Sequence, residues 1–210
     1  MNILIYDCEI IKAVPVEHKN QALIEGIEYC EGWKDFNNMG ISVIGAYLSW
    51  EKEFIAFTDE PSIDKSSKVL PLSYFQDALN KADILVGFNH LSFDNNLIKA
   101  NNFEIPSTVR HYDILVEMWN AVGLGSEFIF PHSAGFSLDQ TCKVNGIGEK
   151  TGTGANAAIL WQRGKYQEVI DYCLNDVKLT LDLLRNIQAN DGWINNPKTK
   201  IKLPVIKENK

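Results

Sequence analysis

The chain has 210 residues, 45% of them hydrophobic and 22% charged, which suits one compact α/β domain with a sizeable core. A formal charge of −7 argues against a broad, sequence-independent grip on duplex nucleic acid, but leaves room for a small site that borrows positive charge from metal ions. No apolar run approaches the roughly 20 residues of a membrane span, and the N-terminal run lacks the length and basic flank of a signal peptide, so a cytoplasmic protein is expected.

Residues 2–6 (NILIY) predict a buried strand that ends in Asp7 and Glu9, two carboxylates sharing a face because strand side chains alternate. Residues 12–39 are polar and turn-rich without periodicity, and form an insertion. Its aromatics Trp33 and Phe36 are expected to pack it down, with base stacking as the alternative. ISVIGAYLSW and KEFIAFTDE predict a hairpin. After the solvated loop PSIDKSSK, the segment LSYFQDALNKAD has helical spacing, with Leu72, Phe75, Leu79 and Ala82 on one face.

ILVGF predicts another buried strand, SFDNNLIKANN a helix, and HYDILVEMWNA a short strand passing into a helix. FSLDQTCKVNG, NAAILWQRG and residues 166–190 are helical. Three strands, then alternation with helices and a helix-rich end, indicate an α/β fold: a mixed central sheet flanked by helices. That domain occupies residues 1–190; residues 191–210, rich in lysine with two prolines, are expected to be a loosely attached basic tail.

Chemistry concentrates at three acidic stations. Asp7 and Glu9 are the first, and alone they fit an ordinary acidic strand end. At the second, GFNHLSFD places Asn89, Phe93 and Asp94 where a strand runs into a helix; Ser92 or Asp94 as an N-cap is the simple explanation. The third lies on the last helix, where Ile170, Leu174, Val177, Leu181 and Leu184 form an apolar stripe and Asp171, Asn175, Lys178, Asp182 and Arg185 a polar face. Asp176 belongs to neither, and shares a third side with Tyr172, Cys173, Leu179 and Leu183.

A buried carboxylate there costs several kcal/mol without a positive partner, and no Lys or Arg of this helix lies on that side. Convergence of the four acids on a pair of divalent ions about 3.5–4 Å apart would supply one. Oxygen-only ligands suit Mg²⁺ or Mn²⁺. Such a pair would activate water for attack on a phosphodiester, with the Tyr172 hydroxyl orienting it.

Asp7-Cys8-Glu9, Asn89 followed by Phe93-Asp94, and Tyr172 four residues before Asp176, in this order, resemble the three motifs of the DEDD superfamily, the RNase H-like 3′→5′ exonucleases. The tyrosine corresponds to its tyrosine branch; the histidine branch has His where this chain has Asp171. YCLNDVKLTLDLL and GFNHLSFD are similar to segments of family B DNA polymerase proofreading domains. SLDQTC, GTGANAAILWQRGKY and YCLNDV resemble small stand-alone or helicase-associated exonucleases.

The resemblance, over roughly residues 1–190, implies metal ligation by Asp7, Glu9, Asp94 and Asp176, a water-orienting Tyr172, and two Mg²⁺ or Mn²⁺ ions. It implies that Asn89 and Phe93 shape the site or hold the terminal nucleotide; Cys8 and Ile10, beside Glu9, are further candidate contacts. Ile10 departs from the Thr or Ser usual after the Glu in polymerase exonucleases. The implied substrate is a 3′ end of single-stranded DNA, with RNA second, and a polymerase, helicase or other replication or repair protein is a candidate partner. An idle binding module of the same fold, or an unrelated metal phosphatase, are the other readings.

GIGEKTGTG lacks the GK[ST] element of a phosphate loop and is expected beside the site, where Lys143 or Lys150 meets the substrate backbone. His90, His111 and His132 share no spacing and are expected to be ordinary core or surface residues, while Asp113 and Asp139 are expected to be helix caps. Cys8, Cys30, Cys142 and Cys173 form no CxxC pair and have no histidine at zinc spacing, so four free thiols are expected.

Overall fold

A computed structural model describes residues 1–15, 23–63, 68–152 and 154–206. Parts of the expected insertion (16–22), of the loop after the hairpin (64–67) and of the tail (207–210) lie outside the described residues. Six strands form a mixed sheet: β1 (Ile3–Ile10), β2 (Ile41–Leu48), β3 (Glu53–Phe57), β4 (Val69–Leu70), β5 (Ile84–Gly87) and β6 (Arg110–Asp113), in the order β4-β3-β2-β1-β5-β6. β2 runs antiparallel to β1 and β3, whereas β1–β5, β5–β6 and β3–β4 are parallel. This is the mixed α/β sheet that an RNase H-like fold requires.

Strand alternation divides β1 between two layers. Leu4, Tyr6, Cys8 and Ile10 join a core that includes Phe75 and Leu79 of α2 (Phe75–Lys81) and Leu97 and Ile98 of α3 (Asp94–Ala100). Ile5 faces the other way, into a core with α4 (Ile114–Ala121), α5 (Leu138–Val144) and α7 (Tyr166–Ala189). The short α1 (Phe36–Met39), α6 (Gly154–Gln162) and a 3₁₀ turn at Leu72–Tyr74 leading into α2 are the other helices among the described residues.

Three expectations change. β1 extends through both acids to Ile10 rather than ending at Tyr6, because β2 pairs with it along that whole length, Asp7 opposite Gly45 and Glu9 opposite Val43. On α7 the expected stripe is buried at Ile170, Val177, Leu181 and Leu184, and the side with Tyr172, Cys173, Asp176, Leu179 and Leu183 is buried as expected; the change is at Leu174, which is only partly buried. The third concerns the expected tail. Within it, β7 (Trp193–Asn195) and β8 (Lys200–Lys202) form a hairpin whose Ile194 and Ile201, with Leu203 beyond, are buried in the α4–α7 core. The Tyr112 hydroxyl also donates to the carbonyl of Pro204 at 2.7 Å. Burying each such aliphatic side chain stabilises by about 1.5–3 kcal/mol, enough to hold a segment whose lysines point outward.

Candidate active site

The centre of the sheet brings the three acidic stations to one place. Helix α7 crosses β2 so closely that a Cβ on Gly45 would lie 2.9 Å from the Cys173 sulfur, and the Cys173 thiol in turn donates to the Asp7 carbonyl at 3.3 Å. Only a residue without a side chain permits this approach, which carries Asp176, one turn after Cys173, over the strand that presents Asp7 and Glu9. Asp7, Glu9, Asp94, Asp176 and Tyr172 line one cavity of about 340 Å³.

Asp94 is not a cap. It is the first residue of α3, its side chain makes no cap bond, and its Oδ1 accepts the backbone N–H of Cys8 at 2.8 Å. That bond ties the second station to the first. The side chains of Cys8 and Ile10 join the α2–α3 core on the face away from Asp7 and Glu9, yet both also line the cavity, and the Cys8 thiol as well as its N–H meets Asp94. Phe93 is partly buried and packs under the cavity beside Phe36 and Trp33.

Asn89 takes a positive φ of 71°, a conformation that Asn tolerates better than most residues, where the chain turns sharply out of β5. Its backbone N–H, with that of Leu91, is held by Asp113 at 2.8 and 2.9 Å. Asp113 is the expected cap of α4, accepting from Leu115 and Val116, and it also fixes the loop that delivers Asp94. Asp139 does not cap α5, since Ser137 does so. Asp139 instead accepts the backbone N–H of Lys150 at 2.9 Å and pairs with Lys143 at 3.0 Å, anchoring the glycine-rich loop.

That loop supplies the positive partner absent from α7. The Lys150 ammonium reaches the Asp176 Oδ2 directly, lies 3.2 Å from the Tyr172 hydroxyl and stands over the tyrosine ring. Its position was expected beside the site; its contact with Asp176 was not, because no local pattern reports which carboxylate a loop lysine will meet. Lys143 remains paired with Asp139 and Glu149.

The acids resist ionisation together. Burial raises Asp7, with Asp94 and Asp176 adding repulsion that Lys150 opposes; burial, Asp7 and Asp176 raise Glu9 in the same way. Burial pushes Asp94 up to about 7 despite the Cys8 N–H, and also raises Asp176 against the pull of Lys150. Burial disfavours the Lys150 ammonium, yet Asp7, Asp176 and Tyr172 outweigh it and hold its pKa above the usual lysine range.

A cluster this short of positive charge fits divalent cations. Among the described residues the Asp176 Oδ1 is buried without a hydrogen-bond partner, and ligand atoms of Asp7, Glu9 and Cys173 lie within 4.8 Å of one another. Of those three, Cys173 is the poor donor. Burial and the neighbouring acids hold its thiol protonated, so the oxygens remain, a set that matches Mg²⁺ or Mn²⁺.

No protein-family model and no curated protein sequence matches the chain. Among solved structures, the fold is similar to that of the family B DNA polymerase from the hyperthermophilic archaeon Pyrobaculum calidifontis, with a TM-score of 0.55 and 16% sequence identity. The match covers 89% of this chain and 24% of the polymerase, so the chain spans about a quarter of that protein's length. No helix among the described residues is long and apolar enough to cross a membrane.

Proposed function

We propose that the protein is a metal-dependent 3′→5′ exonuclease that hydrolyses phosphodiester bonds at the 3′ end of nucleic acid, preferring single-stranded DNA over RNA. The observation that carries this reading is one cavity lined by four carboxylates from β1, α3 and α7 together with Tyr172. The fold similarity to a family B DNA polymerase agrees with it, as do the motifs in their order.

In this reading Asp7, Glu9, Asp94 and Asp176 hold two Mg²⁺ or Mn²⁺ ions. Bound there, the ions supply the charge that activates a water and stabilises the leaving oxygen. Tyr172 orients the attacking water through its hydroxyl, which burial keeps protonated and able to donate. In the same reading Lys150, which contacts Asp176 in the free protein, exchanges it for a phosphate oxygen of the strand. Asn89 and Phe93 hold the terminal nucleotide against the cavity wall. The four cysteines, free and buried, suit a reducing cytoplasm, where a polymerase, a helicase or another repair protein could present the 3′ end.

A second reading takes the same Lys150–Asp176 contact as permanent, giving an idle nucleic-acid-binding module neutralised without metal. Release of mononucleotides from 3′-labelled DNA and RNA of one sequence separates the two. The enzyme releases them with Mg²⁺ or Mn²⁺, ceases with EDTA and recovers on adding metal back. Folded protein that binds the DNA and releases nothing under any of these conditions is the idle module.

A further inference from the structure

Trp33 and Phe36 sit together in the insertion and meet the same ring, yet their surroundings differ. Phe36 lies 5.8 Å from Phe93 and packs into the core behind it. Trp33 meets Phe93 edge-on at 6.0 Å and remains 55% exposed. Packing therefore explains Phe36 but leaves half of an indole in water. The exposed indole lines the same cavity as Asp7, Glu9 and Asp94.

That cavity, at about 340 Å³, lies at the small end of ligand pockets, which run from roughly 300 to 1,000 Å³. It has room for one nucleotide rather than a length of strand. Asp7, Asn89, Lys150 and Tyr172 also line a second cavity of about 500 Å³ that adjoins the first and continues past Ser137, Asp139 and Lys143. A strand cut beside the carboxylates has one residue beyond the scissile bond and the rest before it. The small cavity suits the first and the larger cavity the second.

We propose that Trp33 is the stacking platform for the base of the 3′-terminal nucleotide, with the preceding nucleotides in the second cavity. This rests on the exonuclease reading. It adds a contact from a segment outside the three motifs. An aromatic face accepts any base, because every base has a π-face, so Trp33 contributes affinity and placement without sequence preference. Phe93, edge-on behind it, keeps the indole from rotating away.

The test is binding of three single-stranded oligodeoxynucleotides to the full chain with Ca²⁺ in place of Mg²⁺: one complete, one lacking the terminal base, one lacking the base five positions upstream. Wild type is expected to lose about 5- to 150-fold in affinity without the terminal base, the scale of one base–aromatic stack. Trp33→Ala is expected to bind the complete and the terminally abasic strands alike, Trp33→Phe to keep most of the difference, and the upstream lesion to affect all three proteins equally. Thermal melting of each variant confirms that it is folded. Full discrimination retained by Trp33→Ala, while wild type still releases mononucleotides with Mg²⁺, overturns the stacking role alone. Absence of both binding and release in folded wild type overturns the exonuclease reading and this inference with it.

Discussion

Asp113 and Asp176 are both carboxylates with 2% of their surface exposed, and they have opposite chemical situations. Asp113 spends both oxygens on backbone N–H groups, those of Asn89, Leu91, Leu115 and Val116, which partly offset the rise that burial imposes on it. Asp176 has one oxygen on Lys150 and the other, among the described residues, on nothing. Burial is equal, so burial does not separate a structural acid from a chemical one. The separating quantity is unmet acceptor capacity in a group surrounded by like charge.

The largest effect expected from that contrast is on activity. Asp7→Asn and Asp176→Asn should each lower the rate of mononucleotide release by on the order of 10²–10³-fold, the scale of removing one charge-stabilising group from a reaction site. Asp7→Asn should leave the metal-free protein as stable as wild type or more so, since it removes repulsion from Asp94 and Asp176. Side-by-side melting and turnover check this. An Asp7→Asn protein that is inactive only because it unfolds would break the comparison.

Asp113→Ala should show the reverse pattern. Four backbone N–H groups lose their acceptor, and an unsatisfied buried group costs about 1–3 kcal/mol, so a loss of about 3 kcal/mol in urea unfolding is expected. Turnover per folded molecule should fall by about 10–100-fold at most, the range seen when a supporting contact to a site ligand is lost. A greater loss with unchanged stability would move Asp113 into the site itself.

The same contrast explains what the sequence discloses. Asp176 stood out because helical periodicity is local: one acid on an otherwise apolar side is visible without knowing the fold. Asp113 looked like a cap and is one, but its second task, holding the Asn89–Leu91 loop, joins residues more than twenty positions apart and leaves no local trace. The contact of Lys150 with Asp176 leaves no local trace for the same reason. The hairpin at residues 193–202 was hidden differently, since Lys200-Ile201-Lys202-Leu203 has the alternation of a strand but its lysine content resembles a solvated end. The central strands and the longer helices were legible because alternation and helical spacing recur along them; the short α1 and β4 were not, and for Trp33 the choice between packing and stacking stayed open because exposure of one indole depends on what the insertion packs against.

The smallest expected effect, taken per pH unit, is a pair of opposite pH slopes. His90 is fully buried, with Nε2 3.2 Å from Nδ1 of His111 and Nδ1 3.5 Å from Asp113, and burial together with His111 lowers it to about 3. An unfolded histidine titrates near 6.5, so below that pH the unfolded chain takes up a proton that the folded one refuses. The stability His90 contributes is present above about 6.5 and is lost as pH falls toward about 3, by up to ~1.4 kcal/mol per pH unit. Asp94 behaves in the opposite sense. Raised to about 7, it holds its proton in the folded protein where the unfolded chain has released it, so its contribution is present below about 4 and is lost as pH rises through about 7. Subtracting the urea-unfolding free energy of His90→Asn, and separately of Asp94→Asn, from that of metal-free wild type between pH 4.5 and 7.5 isolates each slope. The His90 difference should rise with pH and the Asp94 difference should fall. Two slopes of the same sign would mean that the acid cluster is as well satisfied as the Asp113–histidine cluster, and the distinction between them would be lost.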